Sequence, residues 1–418
     1  MRGAGTLGSA LRTSARLTLL TVLPVALVGL DGIRATAAAP DAMCRRSDQG
    51  PAGTLPQGAS WQVIPPGPVD GRTSTSVVWT GSEIIVWGGE VGNDVADYAD
   101  GAAYDPSRGT WRMLPPAPLT PRSSHAAVWT GNEMVIWGGA GAQSEPTPDA
   151  AAYDPKRDEW RPLADALIPS APRAVAVWTG KEMIVWGGRS RNDGAAFDPA
   201  RNKWRRIPRS PLSPRAGAAA TWTGCEVVVW GGQSIGEWGF LDDGASYDPA
   251  ARRWRKLPPA PLGTERIRNV DKVPGFSPVI TARGFIHPNA VWSGEEVLVW
   301  GNLHAFRAGA PQAAPLAGYN PKTRAWRTLT PPTIDFAPQG EGTGGERTAW
   351  AGDSMVALTG NVDVHGVRAL RYEPARDVWN ELPPPATSAG FVPDYNAQVL
   401  FTGTSVIAWQ TTTSVMLG

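Results

Sequence analysis

Cysteine, histidine and lysine are scarce in this chain. Its 418 residues include 2 cysteines and 4 histidines, and only six of the 39 basic residues are lysine. Charged residues make up 18% of the sequence, and the formal net charge is +1. Binding to nucleic acid or to an anionic membrane surface requires clustered positive charge. The composition therefore gives no support for either partner, and we expect no nucleic-acid binding.

Long hydrophobic runs are also missing, with one exception near the N-terminus. Leu17 to Leu30 is an apolar run that follows Arg2, Arg12 and Arg16, and Ala35-Thr36-Ala37 then offers a cleavage site of small residues. This order is typical of a secretory signal peptide. We therefore expect residues 1–37 to be a signal peptide and the mature protein to be secreted or associated with the cell envelope. An uncleaved membrane anchor is the alternative, although the run is short for a span of about 20 residues.

The two cysteines are far apart in the sequence. Cys44 lies in residues 38–60, which we expect to form a flexible leader, and Cys225 lies in a predicted hairpin turn. Export permits a disulfide bond. The sequence leaves open whether these cysteines pair or are two unrelated thiols.

Tryptophan, glycine and proline are abundant, with 20, 48 and 40 residues. Glycine and proline interrupt helices and mark turns, and tryptophan favours strands. This composition predicts an all-β protein.

The tryptophans follow an internal repeat. Copies of a Trp-Thr-Gly motif, or a close variant, begin at seven positions: Trp79, Trp129, Trp178, Trp222, Trp292, Trp350 and Phe401. A second Trp stands eight residues later in every copy except the sixth, where Leu358 takes its place. A Gly-Gly pair follows this second Trp in the first four copies.

Each complete repeat also contains an aromatic residue, an acid or Asn, and a proline. The aromatic residue is Tyr104, Tyr153, Phe197, Tyr247, Tyr319 or Tyr372, and a third Trp always follows seven residues later. Nineteen of the 20 tryptophans occupy one of the three repeat positions, and Trp238 alone does not.

Each repeat reads as four short strands with tight turns, and the spacing of about 50 residues matches kelch propeller blades. The Gly-Gly pair, the Tyr-Asp-Pro triplet and the following Trp resemble the Kelch family. The resemblance runs from Trp61 to about Trp409 and implies a β-propeller. Trp61 resembles a fourth strand without its first three, and Gln398 to Trp409 resemble two strands of a blade without its fourth. We therefore expect residues 61–418 to form seven four-stranded blades, with the N-terminal strand joining the C-terminal blade and closing the ring.

The strand order assigns the loops to two faces. Turns between strands one and two, and between three and four, are short and form what we call the narrow-turn face. Connections between strands two and three, and between blades, form the long-loop face and carry the length variation. Variable loops on a rigid scaffold are typical of binding sites.

All four histidines map to the long-loop face: His125, His287, His304 and His365. We expect a ligand site where blades four, five and six meet on this face, with Trp238 as a stacking platform beside acidic and basic groups. The candidate ligand-binding residues are Trp238, Asp242, Asp243, Arg266, Arg268, His287 and His304.

One glutamate recurs near the start of the second strand, in five of the blades. These residues are Glu83, Glu133, Glu182, Glu226 and Glu296. An active site would not recur five times, so we expect a structural role in each blade. The glutamate would satisfy a turn or pair with an arginine such as Arg122 or Arg215.

Two functions remain open from the sequence. The favoured one is a non-catalytic module that binds a carbohydrate, another ligand or a protein, expected to be monomeric and without cofactor, metal or catalytic residues. The alternative is a carbohydrate-active enzyme, because the Kelch resemblance extends to galactose oxidase and to sialic-acid epimerases. Galactose oxidase implies a copper site with a Cys–Tyr crosslink on the working face, whereas Cys225 maps to the opposite face.

Overall fold

The computed structural model describes residues 53–56, 58–91, 96–141, 145–189, 191–234, 241–262, 285–303, 316–332, 347–361, 366–384, 398–409 and 414–417. These residues form strands and turns, with no α-helix among them, which confirms the all-β prediction. Within the same ranges no helix is long and apolar enough to span a membrane. The predicted signal peptide lies outside the described residues.

In chain order the strands are β1 (Trp61–Val63), β2 (Ser76–Trp79), β3 (Ile84–Trp87), β4 (Glu90–Val91), β5 (Ala96–Asp97), β6 (Gly101–Asp105), β7 (Thr110–Met113), β8 (Ala126–Trp129), β9 (Met134–Trp137), β10 (Ala150–Asp154), β11 (Glu159–Pro162), β12 (Val175–Trp178), β13 (Met183–Trp186), β14 (Gly194–Asp198), β15 (Lys203–Arg206), β16 (Arg215–Ala216), β17 (Ala219–Trp222), β18 (Val227–Trp230), β19 (Gln233–Ser234), β20 (Gly244–Asp248), β21 (Arg253–Lys256), β22 (Phe285–Trp292), β23 (Val297–Leu303), β24 (Leu316–Asn320), β25 (Ala325–Leu329), β26 (Arg347–Ala351), β27 (Ser354–Asn361), β28 (Gly366–Glu373), β29 (Val378–Leu382), β30 (Gln398–Phe401), β31 (Val406–Trp409) and β32 (Val415–Leu417).

Six antiparallel blades follow one another along the chain. They are blade 1 (β2-β3-β6-β7), blade 2 (β8-β9-β10-β11), blade 3 (β12-β13-β14-β15), blade 4 (β17-β18-β20-β21), blade 5 (β22-β23-β24-β25) and blade 6 (β26-β27-β28-β29). Two small two-stranded sheets, β4-β5 and β16-β19, accompany blades 1 and 4. The innermost strands of successive blades contact one another in order.

A seventh four-stranded sheet, blade 7, combines strands from both ends of the described chain. Its order is β30-β31-β32-β1, and Trp61 of β1 lies opposite Leu417 of β32. The N-terminal strand therefore does join the C-terminal blade, as the sequence predicts. On the other side of blade 7, β30 contacts β2 of blade 1.

The turn between the first two strands explains the Trp-Thr-Gly motif. In blade 2 the Thr130 hydroxyl accepts a hydrogen bond from the Glu133 N–H at 2.9 Å and donates one to the Glu133 carbonyl at 3.0 Å. Gly131 adopts a positive φ of 95°, which suits glycine because it has no Cβ. The same threonine or serine bonds recur in blades 1, 3, 4, 5 and 7.

The core lies between blades rather than inside any one sheet. Trp137, 1% exposed, packs with Ala152 of its own blade and with Met183 and Phe197 of blade 3. The second Trp is also almost fully buried in blades 1, 3, 4 and 5. Burial on this scale stabilises a fold by roughly 25 cal/mol per Å² of apolar surface.

The third Trp of each blade links that blade to the one before it. Trp160 packs beside Trp87 of blade 1, with ring centroids 5.8 Å apart, and its Nε1 donates to the Pro115 carbonyl at 3.0 Å. An equivalent Nε1 bond to the preceding blade is made by Trp111, Trp204, Trp254, Trp326, Trp379 and Trp61. In blade 7, Trp61 donates to the Pro383 carbonyl, so it performs the role that the repeat alignment assigns to it.

Candidate functional site on the long-loop face

The structure describes only part of the predicted ligand site. Trp238, Arg266, Arg268 and His304 lie outside the described residues. His287 belongs to β22, but its side chain is not described. Asp242 is half-buried and Asp243 is exposed, and both lie directly before β20 on the long-loop face. The convergence of all seven residues therefore stays a prediction.

Asp243 is engaged by a buried arginine. The guanidinium of Arg215, whose side chain is 0% exposed, lies 2.7 Å from Asp243 Oδ1. Arg215 also donates to the carbonyls of Gly231 and Asp243, at 3.1 and 3.2 Å. A buried guanidinium needs such partners because an unpaired buried charge is strongly destabilising. Asp243 thus anchors the loop between strands two and three, and its carboxylate is only partly available to a ligand.

The same arrangement of a buried arginine with an acidic residue and backbone carbonyls, which we call the arginine clamp, recurs in blades 1 and 2. Arg122, also 0% exposed, contacts Asp149 at 2.7 Å and donates to the Gly138 carbonyl at 3.2 Å. Burial lowers the pKa of Arg122, and the hydrogen bond to Asp149 opposes that shift. Arg72 contacts Asp100 at 2.5 Å in blade 1. Each clamp arginine stands seven residues before the first Trp of its blade, so these arginines can be recognised from their spacing in the sequence.

The recurring glutamates do not pair with Arg122 or Arg215, so that detail of the sequence prediction is wrong. Each pairs instead with an arginine on the fourth strand of its own blade. The pairs are Glu83–Arg112, Glu133–Arg161, Glu182–Arg205, Glu226–Arg255 and Glu296–Arg327, at distances of 2.6 to 3.6 Å. The clamp arginines lie at the opposite end of the blade and cannot reach them. The expected structural role, one pair in each of these blades, is confirmed.

His125 is held at the junction of blades 1 and 2. Its Nε2 lies 2.8 Å from the Ser76 hydroxyl, and its ring packs edge-on against Trp87 with centroids 5.1 Å apart. Burial, with a smaller contribution from Arg122, lowers the pKa of His125 to about 3. Its Nδ1 is inaccessible and has no hydrogen-bond partner among the described residues. His125 is therefore neutral at physiological pH and serves as a packing residue.

A carboxylate bridges blades 1 and 2 beside this histidine. Glu90 accepts hydrogen bonds from the Ser74 hydroxyl at 2.9 Å and from the Ser123 hydroxyl at 3.1 Å. Two backbone hydrogen bonds between Thr73 and Glu90, at 2.8 and 2.9 Å, hold the backbone that carries this carboxylate on the long-loop face. Sequence analysis missed this group because Glu90 lies in a loop of variable length, outside the repeat pattern.

A backbone position with positive φ recurs in blades 1 to 4 on the long-loop face. Ser74, Ser124, Arg173 and Gly217 have φ values of 56°, 52°, 59° and 59°, and each stands five residues before the first Trp of its blade. Ser124 N donates to the Ser74 carbonyl at 3.1 Å, Arg173 N to the Ser124 carbonyl at 3.0 Å, and Gly217 N to the Arg173 carbonyl at 3.2 Å. Positive φ in residues other than glycine is uncommon. His287 occupies the same repeat position in blade 5.

We call Ser74, Glu90, Ser123, Ser124 and Arg173 the rim cluster. It combines the Glu90 carboxylate, held by the Ser74 and Ser123 hydroxyls, with Ser124 and the Arg173 guanidinium, so that three adjacent blades contribute. Arg173 is exposed, and its guanidinium lies over Gly217, where a Cβ would be 3.6 Å from Nη2. Such groups suit hydrogen bonding to a polar ligand. Within the described ranges, no group of three or more His, Cys, Asp or Glu side chains is placed to hold a metal ion.

Comparison with known proteins agrees with this architecture. The family model described as the KLHDC2/KLHL20/DRC7 Kelch-repeats domain matches residues 74–268. The described residues form a β-propeller, and residues 74–268 are similar to Kelch-repeat domains. A search of curated proteins finds no match.

One similar solved structure is titled "Structure of YjhT". The TM-score is 0.52 with 14% sequence identity, over 77% of this chain and 99% of that one. At this identity the likeness concerns the fold alone.

Proposed function

We propose that the protein is an exported, non-catalytic binding propeller that holds a polar ligand on its long-loop face. The observation that carries the proposal is the rim cluster. Glu90 and its two serine partners are fixed between blades 1 and 2, and the left-handed backbone positions continue that rim into blades 3 and 4. Preorganised polar groups lose little entropy on binding.

The arginine clamps support the same proposal. Arg72, Arg122 and Arg215 each tie a loop between strands two and three to the scaffold through an acidic residue of that loop. Loops that are held in this way present their outer groups in a defined arrangement. A propeller whose long-loop face served only to cover the channel would not need three separate buried arginines, each paired with an acidic residue there.

Carbohydrate is the ligand class that we favour. Carboxylate, hydroxyl and guanidinium groups match the hydroxyl pattern of a sugar, and Trp238, if it lies at the rim as expected, would add a stacking surface. A protein segment rich in polar side chains is the second ligand class. The alternative of a carbohydrate-active enzyme would show itself as turnover of a bound sugar.

Export is part of the proposal, and the disulfide bond of Cys225 supports it. Disulfides persist mainly in oxidising compartments outside the cytosol. We expect the mature chain to begin near Ala38, and intact-mass measurement of the secreted protein checks this. A product that retains Met1 in the membrane fraction would favour the membrane-anchor alternative instead.

A glycan and cell-wall-fragment binding screen tests the ligand site. Wild type is compared with Glu90→Gln and Arg173→Ala in the rim cluster, with a Trp238→Ala, Arg266→Ala double variant, and with Lys181→Ala on the narrow-turn face as control. We expect the two rim variants to weaken binding by at least about tenfold, because each removes a charged hydrogen-bonding group. Lys181→Ala should bind like wild type.

The outcomes separate the alternatives. Loss of binding in the double variant alone would place the site where blades four, five and six meet. Undiminished binding in every variant would move the site away from the long-loop face. Binding to no sugar would direct the search to protein partners, and conversion of a bound sugar would establish the enzyme.

A further inference from the structure

The outer edges of blades 3 and 4 carry a concentration of positive charge. Their edge strands are β15 and β21. Residues 199–209, which include β15, contain five basic residues, and residues 249–259, which include β21, contain four. Neither segment contains an acidic residue, whereas the equivalent residues of blade 2, 155–165, contain three of each sign. The low net charge of the whole chain therefore includes a strong local excess.

Only part of this charge is neutralised within the blades. Three of the basic residues have an acidic partner, in the pairs Arg201–Asp198, Arg205–Glu182 and Arg255–Glu226, at 2.6 to 3.6 Å. The other six are exposed and make no ion pair among the described residues: Lys203, Arg206, Arg209, Arg252, Arg253 and Lys256. We call these six residues the basic edge.

A hydrogen bond joins the two halves of the basic edge. The Nε1 of Trp254 in β21 donates at 2.8 Å to the carbonyl of Pro208, which lies between Arg206 and Arg209. Both β15 and β21 begin and end with a basic residue, and the ends of a four-residue strand are about 10 Å apart. The basic edge is thus one surface that extends over two adjacent blades.

One residue of the basic edge occupies a backbone position that does not favour arginine. Arg252 has a φ of 52°, and the equivalent residue is glycine in blade 1 and Asp or Asn in blades 2, 3 and 6. Those residue types tolerate a positive φ best. In blade 5 the position is taken by Arg324, whose Nη2 donates to the Lys256 carbonyl at 3.1 Å, so a further guanidinium borders the basic edge. The backbone does not explain these arginines, whereas a role for their charge does.

Charge on an outer strand also prevents edge-to-edge pairing of sheets. This need does not account for the basic edge, because the other blades expose different residues at the same two positions of the fourth strand. They are Thr110 and Met113 in blade 1, Glu159 and Pro162 in blade 2, and Ala325 and Thr328 in blade 5. Both positions are basic in blades 3 and 4 alone.

The side chains around the basic edge restrict the kind of anion that fits. Single-stranded nucleic acid is bound by stacking on aromatic side chains, but Trp204 is buried and Trp254 is half-buried. Binding to a lipid surface combines basic with apolar side chains, and no large exposed apolar residue lies in either segment. Arginine, which supplies four of the six residues, pairs with a carboxylate through two parallel hydrogen bonds.

We propose that the basic edge binds a linear acidic polysaccharide through its carboxylate groups. One carboxylate on each sugar gives separated charges, which suit basic residues about 10 Å apart on two neighbouring strands. Duplex DNA, by contrast, carries one charge per about 1.7 Å of its axis. The propeller then has a second binding surface, on its circumference, in addition to the rim cluster on the long-loop face.

Calorimetric titration with an oligogalacturonate, at a low salt concentration of about 50 mM, tests the basic edge. The edge variant combines Lys203→Ala, Arg206→Thr, Arg253→Ala and Lys256→Thr, which introduce the residues that blade 5 has at these positions. We expect the edge variant to bind at least about tenfold more weakly than wild type, because four charge contacts are lost. Wild-type binding should weaken steeply as the salt concentration rises.

A control variant removes the same number of exposed basic residues elsewhere. It combines Arg108→Ala, Lys156→Ala, Lys181→Ala and Lys322→Ala. The control variant has the same net charge as the edge variant, so we expect it to bind the oligogalacturonate like wild type. Neutral dextran should not bind, and both variants should keep the Tm of wild type.

Several results would overturn the proposal. Equal weakening in the two variants would show that net charge attracts the polymer, and wild-type binding that ignores salt would exclude charge contacts. Tighter binding of duplex DNA, or of vesicles that contain phosphatidylglycerol, would replace the polysaccharide by nucleic acid or a membrane. Association of the edge variant in light scattering, with unchanged oligogalacturonate binding, would leave only protection of the blade edge. Both variants keep the rim cluster, so failure of the basic edge leaves the proposed function untouched.

Discussion

His125 should make the propeller sensitive to mild acid. The pKa of His125 is lowered to about 3 in the folded protein, mainly by burial and then by Arg122, whereas an unfolded histidine titrates near 6.5. The folded state therefore resists protonation that the unfolded state accepts. Stability from this residue is fully present above about pH 6.5 and is lost as the pH falls towards 3.

The size of the effect follows from the pKa difference. Each pH unit between the two pKa values costs about 1.4 kcal/mol. Between pH 7 and pH 5 the unfolded state gains a proton that the folded state does not bind, so the free energy of unfolding should fall by about 2 kcal/mol. For a chain of this length that corresponds to a Tm decrease of about 3 °C.

Thermal unfolding of wild type and His125→Phe at pH 7 and pH 5 measures this effect. Phenylalanine keeps a ring against Trp87 but cannot titrate. The variant should be less stable at pH 7 because the Ser76 hydroxyl keeps its bond to the Trp87 carbonyl but loses its shorter bond to His125. The difference between the two proteins should shrink by about 2 kcal/mol at pH 5. Ser76→Ala is the control: it removes the same hydrogen bond but keeps the histidine, so it should retain the pH dependence of wild type.

An unchanged difference between wild type and His125→Phe would refute the reasoning. It would mean that the unfolded and folded states bind the proton equally well, either because the ring reaches solvent or because an acidic group outside the described residues approaches Nδ1. Subtracting the variant from wild type removes the contribution of other titrating groups, which both proteins share.

Three further predictions concern stability. Trp137→Ala should lower the free energy of unfolding by about 3–5 kcal/mol through a cavity between blades 2 and 3, whereas the exposed Leu167→Ala should change it little, as chemical denaturation would show. Arg122→Lys should cost about 3 kcal/mol, because a single ammonium cannot replace the forked contacts to Asp149 and two carbonyls. Deletion of residues 396–418 should leave β1 without its sheet and cause a marked loss of Tm with aggregation, measured by calorimetry and light scattering.

Each of these predictions has an outcome that contradicts it. Equal losses at Trp137 and Leu167 would mean that the space between blades is not the core. A lysine that replaces Arg122 without loss would show that the clamp contributes little to stability. An unchanged melting curve after the deletion would show that blade 7, and its contact with blade 1, does not stabilise the ring.

The sequence by itself determined the blade architecture. Local strands and turns are specified by the three Trp positions, the threonine turn and the Tyr-Asp-Pro triplet. These features recur because every blade packs against its neighbours in the same way. Even the split blade was predictable, since Trp61 stands without a preceding repeat and Gln398 to Trp409 without a following one. Local sequence determines these strands and turns, so a motif that recurs in every blade is easy to recognise in the sequence.

Only the tertiary structure decided how the polar groups pair. Glu133 and Arg161 are close because register places β9 and β11 in one sheet, whereas Arg122 reaches Asp149 at the other end of the blade. Three features depend on contacts between segments from different blades. They are the bridge from Glu90 to Ser74 and Ser123, the burial that lowers the pKa of His125, and the packing of Leu55. Such contacts depend on side-chain geometry and burial, which spacing along the chain does not encode.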